Sequence, residues 1–189
     1  GCDNTCNSTL ADDECGVCDG DGSSCSSVTI SFGAFTSDSV DILYTSSGDI
    51  SGYQFDVSGL DGLTVSAGDF MASAANGTVI GFSLTGDTLP AGSGTLATLG
   101  YSAVTDQYSS LSLGNFGAIT DGNGNPYATV SFGVDEDHGP ADCAGTFGGS
   151  LVNDDCGVCD GGNADDLGCG CFEAGPSGCD STCGSTLEN

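Results

Sequence analysis

Cysteine is the residue type with the clearest chemical meaning in this chain. Two C-G-V-C pairs, Cys15/Cys18 and Cys156/Cys159, can belong to a disulfide framework, a zinc site or a redox centre. A zinc site needs four converging ligands, and a redox pair needs a thioredoxin-like βαβ pattern that this sequence does not contain. We therefore expect structural disulfides, formed between outer and inner cysteines because the ring within a C-x-x-C pair is strained. The sequence leaves the pairing open for all of them: Cys2, Cys6, Cys15, Cys18, Cys25, Cys143, Cys156, Cys159, Cys169, Cys171, Cys179 and Cys183.

Oxygen-bearing side chains form the second chemical pattern. Asp19 and Asp21 lie in a D-x-D-G-S segment, where hard oxygen ligands at alternate positions can wrap one cation. Further candidate calcium ligands lie in the middle of the chain and just after it: Asp121, Asn123, Asn125, Asp135 and Asp137. The alternative is that these segments are solvated turns, because Asp-Gly and Asn-Gly favour turns for backbone reasons alone. Calcium is the one cofactor that the sequence brings into consideration.

A catalytic constellation is absent from the sequence pattern. The single histidine, His138, stands in an acidic Gly-Pro-bounded segment with no nucleophile or partner base near it in sequence. The adjacent acids Asp13/Glu14 and Asp154/Asp155 indicate surface runs, whereas glycoside cleavage needs two acids on opposite walls of a cleft. We expect that the chain is not an enzyme.

Two segments match the acceptor sequence for N-glycosylation. They begin at Asn7 (N-S-T) and at Asn76 (N-G-T). Asn7 is replaced by Gly184 in the second copy of its segment, described below, so that site is not constant.

The charge of the chain excludes several partners. It has 27 acidic residues and no lysine or arginine, which gives a formal net charge of −27. Nucleic acid is excluded as a direct partner because phosphate binding requires cationic side chains, and an anionic membrane surface would repel the chain. Its longest apolar run is far too short for membrane insertion. The acids must be solvated, hydrogen-bonded or bound to cations.

The beginning of the chain returns at its end. Residues 1–12 (GCDNTCNSTLAD) and 178–189 (GCDSTCGSTLEN) agree at eight of twelve positions, with an offset of 177 residues. This repetition predicts one period of a longer tandem array. Because Cys179 and Cys183 repeat Cys2 and Cys6, one period has ten distinct cysteines, enough for five disulfides in an oxidising, extracellular setting.

The middle of the chain has the pattern of an all-β domain. Short segments rich in β-branched and aromatic residues alternate with Gly, Asp, Ser and Asn, without helical periodicity. This indicates an all-β, antiparallel β-sandwich with disulfide-rich irregular arms. We expect an N-terminal arm at 1–25, the sandwich at 26–134 and a C-terminal arm at 135–189. The expected core residues are Phe32, Tyr53, Phe55, Val57, Val65, Ile80, Phe82, Leu84, Leu96, Leu99, Tyr101 and Phe132.

The arms contain a smaller repeat of four cysteines each. One copy consists of Cys143, Cys156, Cys159 and Cys169. The other consists of Cys183 (equivalent to Cys6), Cys15, Cys18 and Cys25. Cys171 and Cys179 lie between the copies, so we expect them to pair and close the junction.

Two resemblances to known families accompany these patterns. The segment at 13–25, D-E-C-G-V-C-D-G-D-G-S-S-C, resembles the Cys-rich repeats of large secreted proteins from aquatic microbes. It also resembles the Cys-rich regions of thrombospondin-repeat metalloproteases. That resemblance implies an extracellular spacer. The segments 50–57 (ISGYQFDV), 77–84 (GTVIGFSL) and 94–99 (GTLATL) resemble strands of a cohesin. That resemblance implies an Ig-like or cohesin-like antiparallel β-sandwich, of a family that docks other proteins, often calcium-loaded dockerins.

These features together predict a structural protein. We expect the repeat unit of an extracellular filament, stalk or giant surface adhesin, joined head to tail to identical copies by disulfide-stapled connectors. The alternative is a cohesin-like module that recognises a protein or a glycan. The lack of tryptophan weakens glycan stacking as the mode of recognition.

Overall fold

The computed structural model describes residues 1–13, 15–177 and 180–185. They form two compact units, Gly1–Asp137 and His138–Asn189. Among the described residues, the only helical element is a 3₁₀ turn at Ser23–Cys25, so no helix is long and apolar enough to cross a membrane.

The first unit is an all-β sandwich preceded by the N-terminal arm. Its strands are β1 (Ser27–Phe35), β2 (Ser39–Ser46), β3 (Ile50–Ser58), β4 (Leu60–Asp61), β5 (Thr64–Ser66), β6 (Met71–Ala75), β7 (Thr78–Phe82), β8 (Gly92–Gly100), β9 (Ala103–Val104), β10 (Tyr108–Ser112), β11 (Ala118–Asp121), β12 (Thr129–Phe132) and β13 (Glu136–Asp137). The β-sandwich class predicted from the sequence is confirmed.

Two sheets build the sandwich. The first has the strand order β12-β1-β2-β8-β5. The second has the order β13-β10-β3-β7-β6, and β11 pairs with the beginning of β3 while β10 pairs with its end. All strand pairs are antiparallel except β1 with β12. Strands β4 and β9 form a separate short pair.

Alternating side chains from both sheets form the core. In β2, Val40, Ile42 and Tyr44 are buried, and the residues between them are less buried. The same alternation in β3 buries Phe55 and Val57. A strand whose alternate side chains are apolar buries one face and leaves the other to solvent, so the sequence pattern decides which face meets the opposite sheet.

The predicted core is wrong at three positions. Ile80, Phe82 and Leu84 are exposed, whereas Tyr53, Phe55, Val57, Leu96 and Leu99 are buried and the remaining four predicted residues are partly buried against the core. The inward positions of β7 are Val79 and Gly81 instead. The reason is the Tyr53 ring, which lies against Gly81 so closely that a Cβ there would be 2.2 Å from Tyr53 Cζ.

Tyr53 is a polar residue placed in an apolar layer. Its ring is stacked on Phe70 at 6.0 Å and is 3% exposed. Its hydroxyl is buried and has no hydrogen-bond partner within the part of the chain that the structure describes. Burial raises the pKa of Tyr53 to about 12 because the charged phenolate would lose its solvation.

Candidate functional site

The arms are built from loops that an aspartate carboxylate holds together. Oδ1 of Asp154 accepts the backbone N–H groups of Cys156 and Val158, each at 2.9 Å, and its Oδ2 accepts that of Asn163 at 2.9 Å. Asp13 in the N-terminal arm accepts from the equivalent residues Cys15, Val17 and Gly22. Asp142 and Asp166 do the same with the N–H groups two and four residues further on. We call these four segments the Asp-headed loops.

The Asp-headed loops of the C-terminal arm recur regularly. Asp142, Asp154 and Asp166 follow one another at intervals of 12 residues. Isolated β-bridges recur with them, at Ala141–Phe147, Asn153–Cys159, Asp166–Cys171 and, beyond the last loop, Ser177–Thr182. The arm is therefore a series of small hairpins. The 12-residue interval is visible in the sequence, and Cys159, Cys171 and Cys183 follow it as well. It was not predicted because the other cysteines of the arm interrupt it.

Disulfides connect each hairpin of the series to the next one. Cys143 bonds to Cys159, Cys156 to Cys171 and Cys169 to Cys183, over sequence separations of 16, 15 and 14 residues. In the N-terminal arm Cys2 bonds to Cys18, over 16 residues, and Cys15 bonds to Cys25, over 10. We call the three consecutive bonds of the C-terminal arm the cystine ladder. Both C-x-x-C pairs are thus consumed by bonds to other cysteines, which leaves no thiolates there for zinc.

The pairing corrects two expectations. Cys171 does not pair with Cys179, because Cys171 is bonded to Cys156. The smaller repeat therefore matches Cys143, Cys156, Cys159 and Cys171 to Cys2, Cys15, Cys18 and Cys25, instead of ending at Cys169 and beginning at Cys6.

Two of the predicted disulfide cysteines stand apart from the five bonds. Cys6 is exposed and has no disulfide partner, because each of the other ten cysteines in the described part of the chain is already bonded. Cys179 lies outside the described residues.

Asp13, Asp142 and Asp154 have lowered pKa values because they accept backbone hydrogen bonds. The N–H of Val158 and then those of Asn163 and Cys156 lower the pKa of Asp154, and Val17 and Gly22 do so for Asp13. A carboxyl group whose pKa is lower in the folded state stabilises the fold above its unfolded pKa, and that contribution is lost as the pH falls through the folded value. The arms therefore lose stability below about pH 4, the ordinary range of an aspartate.

We expect the substitution Asp154→Asn to loosen its loop. Asparagine keeps one acceptor oxygen but presents an NH₂ group to the N–H of Asn163 and lacks the negative charge. Amide exchange at Val158 and Asn163 should accelerate roughly threefold to tenfold at pH 6, as for an exposed charge-assisted hydrogen bond. Hydrogen-exchange mass spectrometry, corrected for the intrinsic pH dependence, measures this.

The control for this substitution is Asp160→Asn, which removes the same charge from an exposed side chain of the same arm. In the wild-type chain, the protection of the Val158 and Asn163 amides against exchange should fall between pH 5 and pH 2. In the Asp154→Asn variant, the protection of these amides should change little over that range. Equal effects of the two substitutions would show that net charge, and not the hydrogen bonds, stabilises the loop.

The fold brings together two of the predicted calcium segments. Asp21 from the N-terminal arm and Asp121, Asn123 and Asn125 from the turn after β11 line one cavity of about 180 Å³. Tyr127 also lines the cavity, and its hydroxyl donates to the backbone oxygen of Asp49 at 3.0 Å. Oδ1 of Asp121 accepts the N–H groups of Asn123 and Asn125, both at 2.9 Å. The cavity therefore offers carboxylate and amide oxygens, the ligands that calcium prefers.

The remaining predicted metal ligands lie elsewhere. Asp19 has a left-handed backbone conformation (φ 57°) and an exposed side chain, and Asp135 is exposed. Asp137 accepts a hydrogen bond from Gln107 Nε2 at 3.2 Å. Of the His, Cys, Asp and Glu side chains in the described segments, the only group of three that converges is Cys2, Asp12 and Cys18, and its two sulfurs are joined in a disulfide.

Calcium binding at the polar cavity stays a prediction. If calcium binds there, it should raise the unfolding free energy by about 2.7 kcal/mol at a concentration one hundredfold above the Kd. The measurement is thermal unfolding in calcium chloride against EGTA. Asp121→Asn should remove the response and Asp69→Asn, on another exposed loop, should keep it. A response that survives Asp121→Asn would place the ion elsewhere.

One outer face of the sandwich carries a group of exposed apolar side chains. Met71 of β6 lies beside Phe82 of β7, and the side chain of Ile80 points to the same side. Their exposed fractions are 55%, 43% and 37%. Leu84, two residues beyond Phe82, and Phe116, before β11, are also exposed. We call Met71, Ile80 and Phe82 the apolar outer face. Exposed apolar groups collected on one sheet face are typical of an interaction surface.

Both predicted glycosylation sites are exposed. Asn76 and Gly77 form the two-residue turn between β6 and β7, with φ values of 52° and 82° that suit such a hairpin turn. Asn7 is exposed in the N-terminal arm. Glycan occupancy at both sites stays a prediction.

Comparison with solved structures finds likeness to cohesins. A non-cellulosomal cohesin from Archaeoglobus fulgidus has 16% identity, a TM-score of 0.40, and covers 56% of this chain and 86% of its own. CaCohA2 from Clostridium acetobutylicum has 17% identity, a TM-score of 0.39, and coverage of 58% and 87%. The sixth cohesin of Acetivibrio cellulolyticus scaffoldin B, solved with a Cel5 dockerin, has 19% identity, a TM-score of 0.36, and coverage of 57% and 97%. No protein-family profile and no curated protein matches the chain.

Proposed function

We propose that this chain is a structural repeat unit of an extracellular filament, stalk or giant surface adhesin, joined head to tail to further copies. The single observation that carries the proposal is the cystine ladder. None of the described residues of His138–Asn189 is buried, so this segment has no hydrophobic core. The cystine ladder instead holds it together as a connected series of hairpins. Such a segment is suited to joining sandwiches, and its bonds form in oxidising, extracellular compartments.

The charge of the chain fits the same function. With a net charge of −27 and no lysine or arginine, neighbouring polymers repel one another and stay hydrated. This repulsion by itself keeps long polymers of such units from aggregating with one another. Divalent cations would then screen the repulsion and adjust the stiffness of the polymer.

Electron microscopy of the native extracellular material tests this function. We expect an axial repeat that corresponds to one unit per 177 residues. Mass spectrometry of the same material should give a mass many times that of one unit. A monomeric native polypeptide of about this size would contradict the proposal.

A protein-binding module is the second candidate function, and the apolar outer face favours it. Met71, Ile80 and Phe82 lie on neighbouring strands and expose apolar side chains in an otherwise acidic molecule. Desolvation of these side chains by a partner would supply the hydrophobic core that protein interfaces have. The absence of tryptophan favours a protein over a glycan as the partner.

Binding assays on paired variants distinguish this second function. Phe82→Asp places a charge in the middle of the apolar outer face, whereas Thr29→Asp places the same charge on an exposed position of β1 in the other sheet. We expect Phe82→Asp alone to weaken capture of a partner from the native extracellular material, at least tenfold for a central interface residue. If the apolar outer face only mediates self-association, Phe82→Asp, and not Thr29→Asp, will change the sedimentation coefficient of the isolated chain.

A further inference from the structure

The exposed Cys6 and the bonded Cys183 occupy equal positions in two copies of one segment. Their backbones have the same left-handed positions on either side of the cysteine. Asn4 and Ser181, two residues before each cysteine, have φ values of 56° and 50°. Asn7 and Gly184, directly after each cysteine, have φ values of 63° and 67°. A left-handed conformation is uncommon outside glycine, so its recurrence at equal positions shows the same turn in both copies.

Hydrogen bonds around the two cysteines agree as well. The N–H of Ser8 donates to the backbone oxygen of Thr5 at 3.2 Å, and that of Ser185 donates to Thr182 at 3.3 Å. The two segments therefore differ chiefly in that Cys183 Sγ is bonded and Cys6 Sγ is not.

Four disulfides follow one rule that gives Cys6 its partner. In each of them a cysteine at or next to the closing strand of a hairpin bonds to a cysteine 14 to 16 residues earlier. The four are Cys18 with Cys2, Cys159 with Cys143, Cys171 with Cys156, and Cys183 with Cys169. Applied to Cys6, the rule requires a cysteine 14 residues upstream, as Cys169 is upstream of Cys183.

We propose that Cys6 forms a disulfide with the equivalent of Cys169 in a preceding copy of this unit. This inference rests on the repeat function proposed above and names the atoms of the junction. The bond is the same one that Cys169 and Cys183 make within this chain. The cystine ladder therefore continues through the junction instead of stopping at it.

The same rule completes the pairing of one period. Cys179 has the sequence position of Cys2, whose partner is Cys18. The partner of Cys179 is then the equivalent of Cys18 in the following copy. All ten cysteines of a period are used in five disulfides, and one of these, between Cys169 and the next copy's Cys6, crosses the junction between copies.

Formation of the junction bond is a two-electron oxidation. The Sγ–H bonds of Cys6 and of the Cys169 equivalent break, one S–S bond forms, and two protons and two electrons leave. A disulfide oxidant accepts them, either a thiol–disulfide oxidoreductase or oxidised glutathione, by exchange through a mixed disulfide.

Variants of this chain test the junction in isolation. Cys179→Ser together with Cys183→Ser leaves Cys6 and Cys169 as the two unbonded cysteines. In a glutathione redox buffer we expect this variant to form disulfide-linked oligomers on a non-reducing gel, through Cys6 of one molecule and Cys169 of another. The added substitution Cys6→Ser should abolish them. Cys179→Ser alone should form no bond between Cys6 and Cys169, because Cys169 is already bonded to Cys183. A variant that stays monomeric, with Cys6 free or closed on its own Cys169, overturns the proposal.

Disulfide mapping of the native protein distinguishes failure of the junction pairing from failure of the repeat function. The peptide T-C-N around Cys6 differs in mass from T-C-G around Cys183, so both can be followed after digestion at acidic residues. Cys169 and Cys171 stay in one peptide, L-G-C-G-C-F-E, so fragmentation between them is needed. We expect both peptides to be found bonded to its Cys169. If the native polypeptide has no repeated copies, the repeat function itself fails. If copies are present and Cys6 is bonded elsewhere or free, only the junction pairing fails.

Discussion

Reduction of the disulfides is expected to unfold the C-terminal arm and leave the sandwich folded. The described residues of His138–Asn189 include no buried side chain, whereas Val28, Ile30, Phe55 and many others are buried in the sandwich. Each bond of the cystine ladder closes a loop of about 15 residues, which contributes about 3 kcal/mol by limiting the unfolded chain. Once the bonds are opened, solvated Asp-headed loops alone cannot offset the conformational entropy of the arm.

Hydrogen-exchange mass spectrometry before and after reduction and alkylation measures this effect. Amides in 138–185 should lose their protection, and those of β2, β3 and β8 should keep theirs. The thermal midpoint of the sandwich should change little because residues 26–134 contain no cysteine. An oxidised sample taken through the same buffers is the control. A sandwich that melts together with the arm on reduction would show that the arms contribute to its stability.

The sequence predicts the sandwich because alternation and turn residues act locally. The strands with β-branched and aromatic residues, such as β1, β2 and β3, lie where the pattern places them. Strand β6, with the sequence M-A-S-A-A, is missed because small residues have no strand preference of their own. It is a strand because the Asn76-Gly77 turn pairs it with β7.

Sequence patterns do not contain the contacts that decide which side chains face the core. The same holds for the contacts that decide which cysteines pair. Either face of β7 is acceptable by hydrophobicity alone, and the Tyr53 ring over Gly81 selects Val79 for the inside. The same selection creates the apolar outer face. Likewise, ten cysteines have many possible pairings, and the order of the hairpins chooses among them. The polar cavity needs Asp21 and Asp121, which are 100 residues apart, to meet in space.

Gly81→Ala is expected to destabilise the sandwich by about 1–3 kcal/mol through overpacking. The new Cβ would lie 2.2 Å from Cζ and 2.4 Å from Oη of Tyr53, well inside van der Waals contact. The ring cannot move away easily because it is 3% exposed, stacked on Phe70 and in contact range of Phe55. Urea unfolding of the oxidised chain, followed by circular dichroism, measures the loss.

Gly122→Ala is the matched control for Gly81→Ala. Its Cβ would lie 3.4 Å from Asp49 Cβ and 3.8 Å from Thr88 Cγ2, which is ordinary contact, so little change is expected. Both substitutions add one methyl group to a glycine without a left-handed backbone, and they differ in the space available.

A double-mutant cycle assigns the cost of Gly81→Ala to the Tyr53 ring. Tyr53→Ala alone should cost about 3–5 kcal/mol, because it removes a large buried ring. Gly81→Ala in that background should cost almost nothing, or even recover stability, since the added methyl group then fills part of the cavity. The coupling between the two sites should therefore exceed 1 kcal/mol, in the range of residues in direct contact. Additive costs would mean that strain in β7 itself, and not the ring, opposes a side chain at position 81.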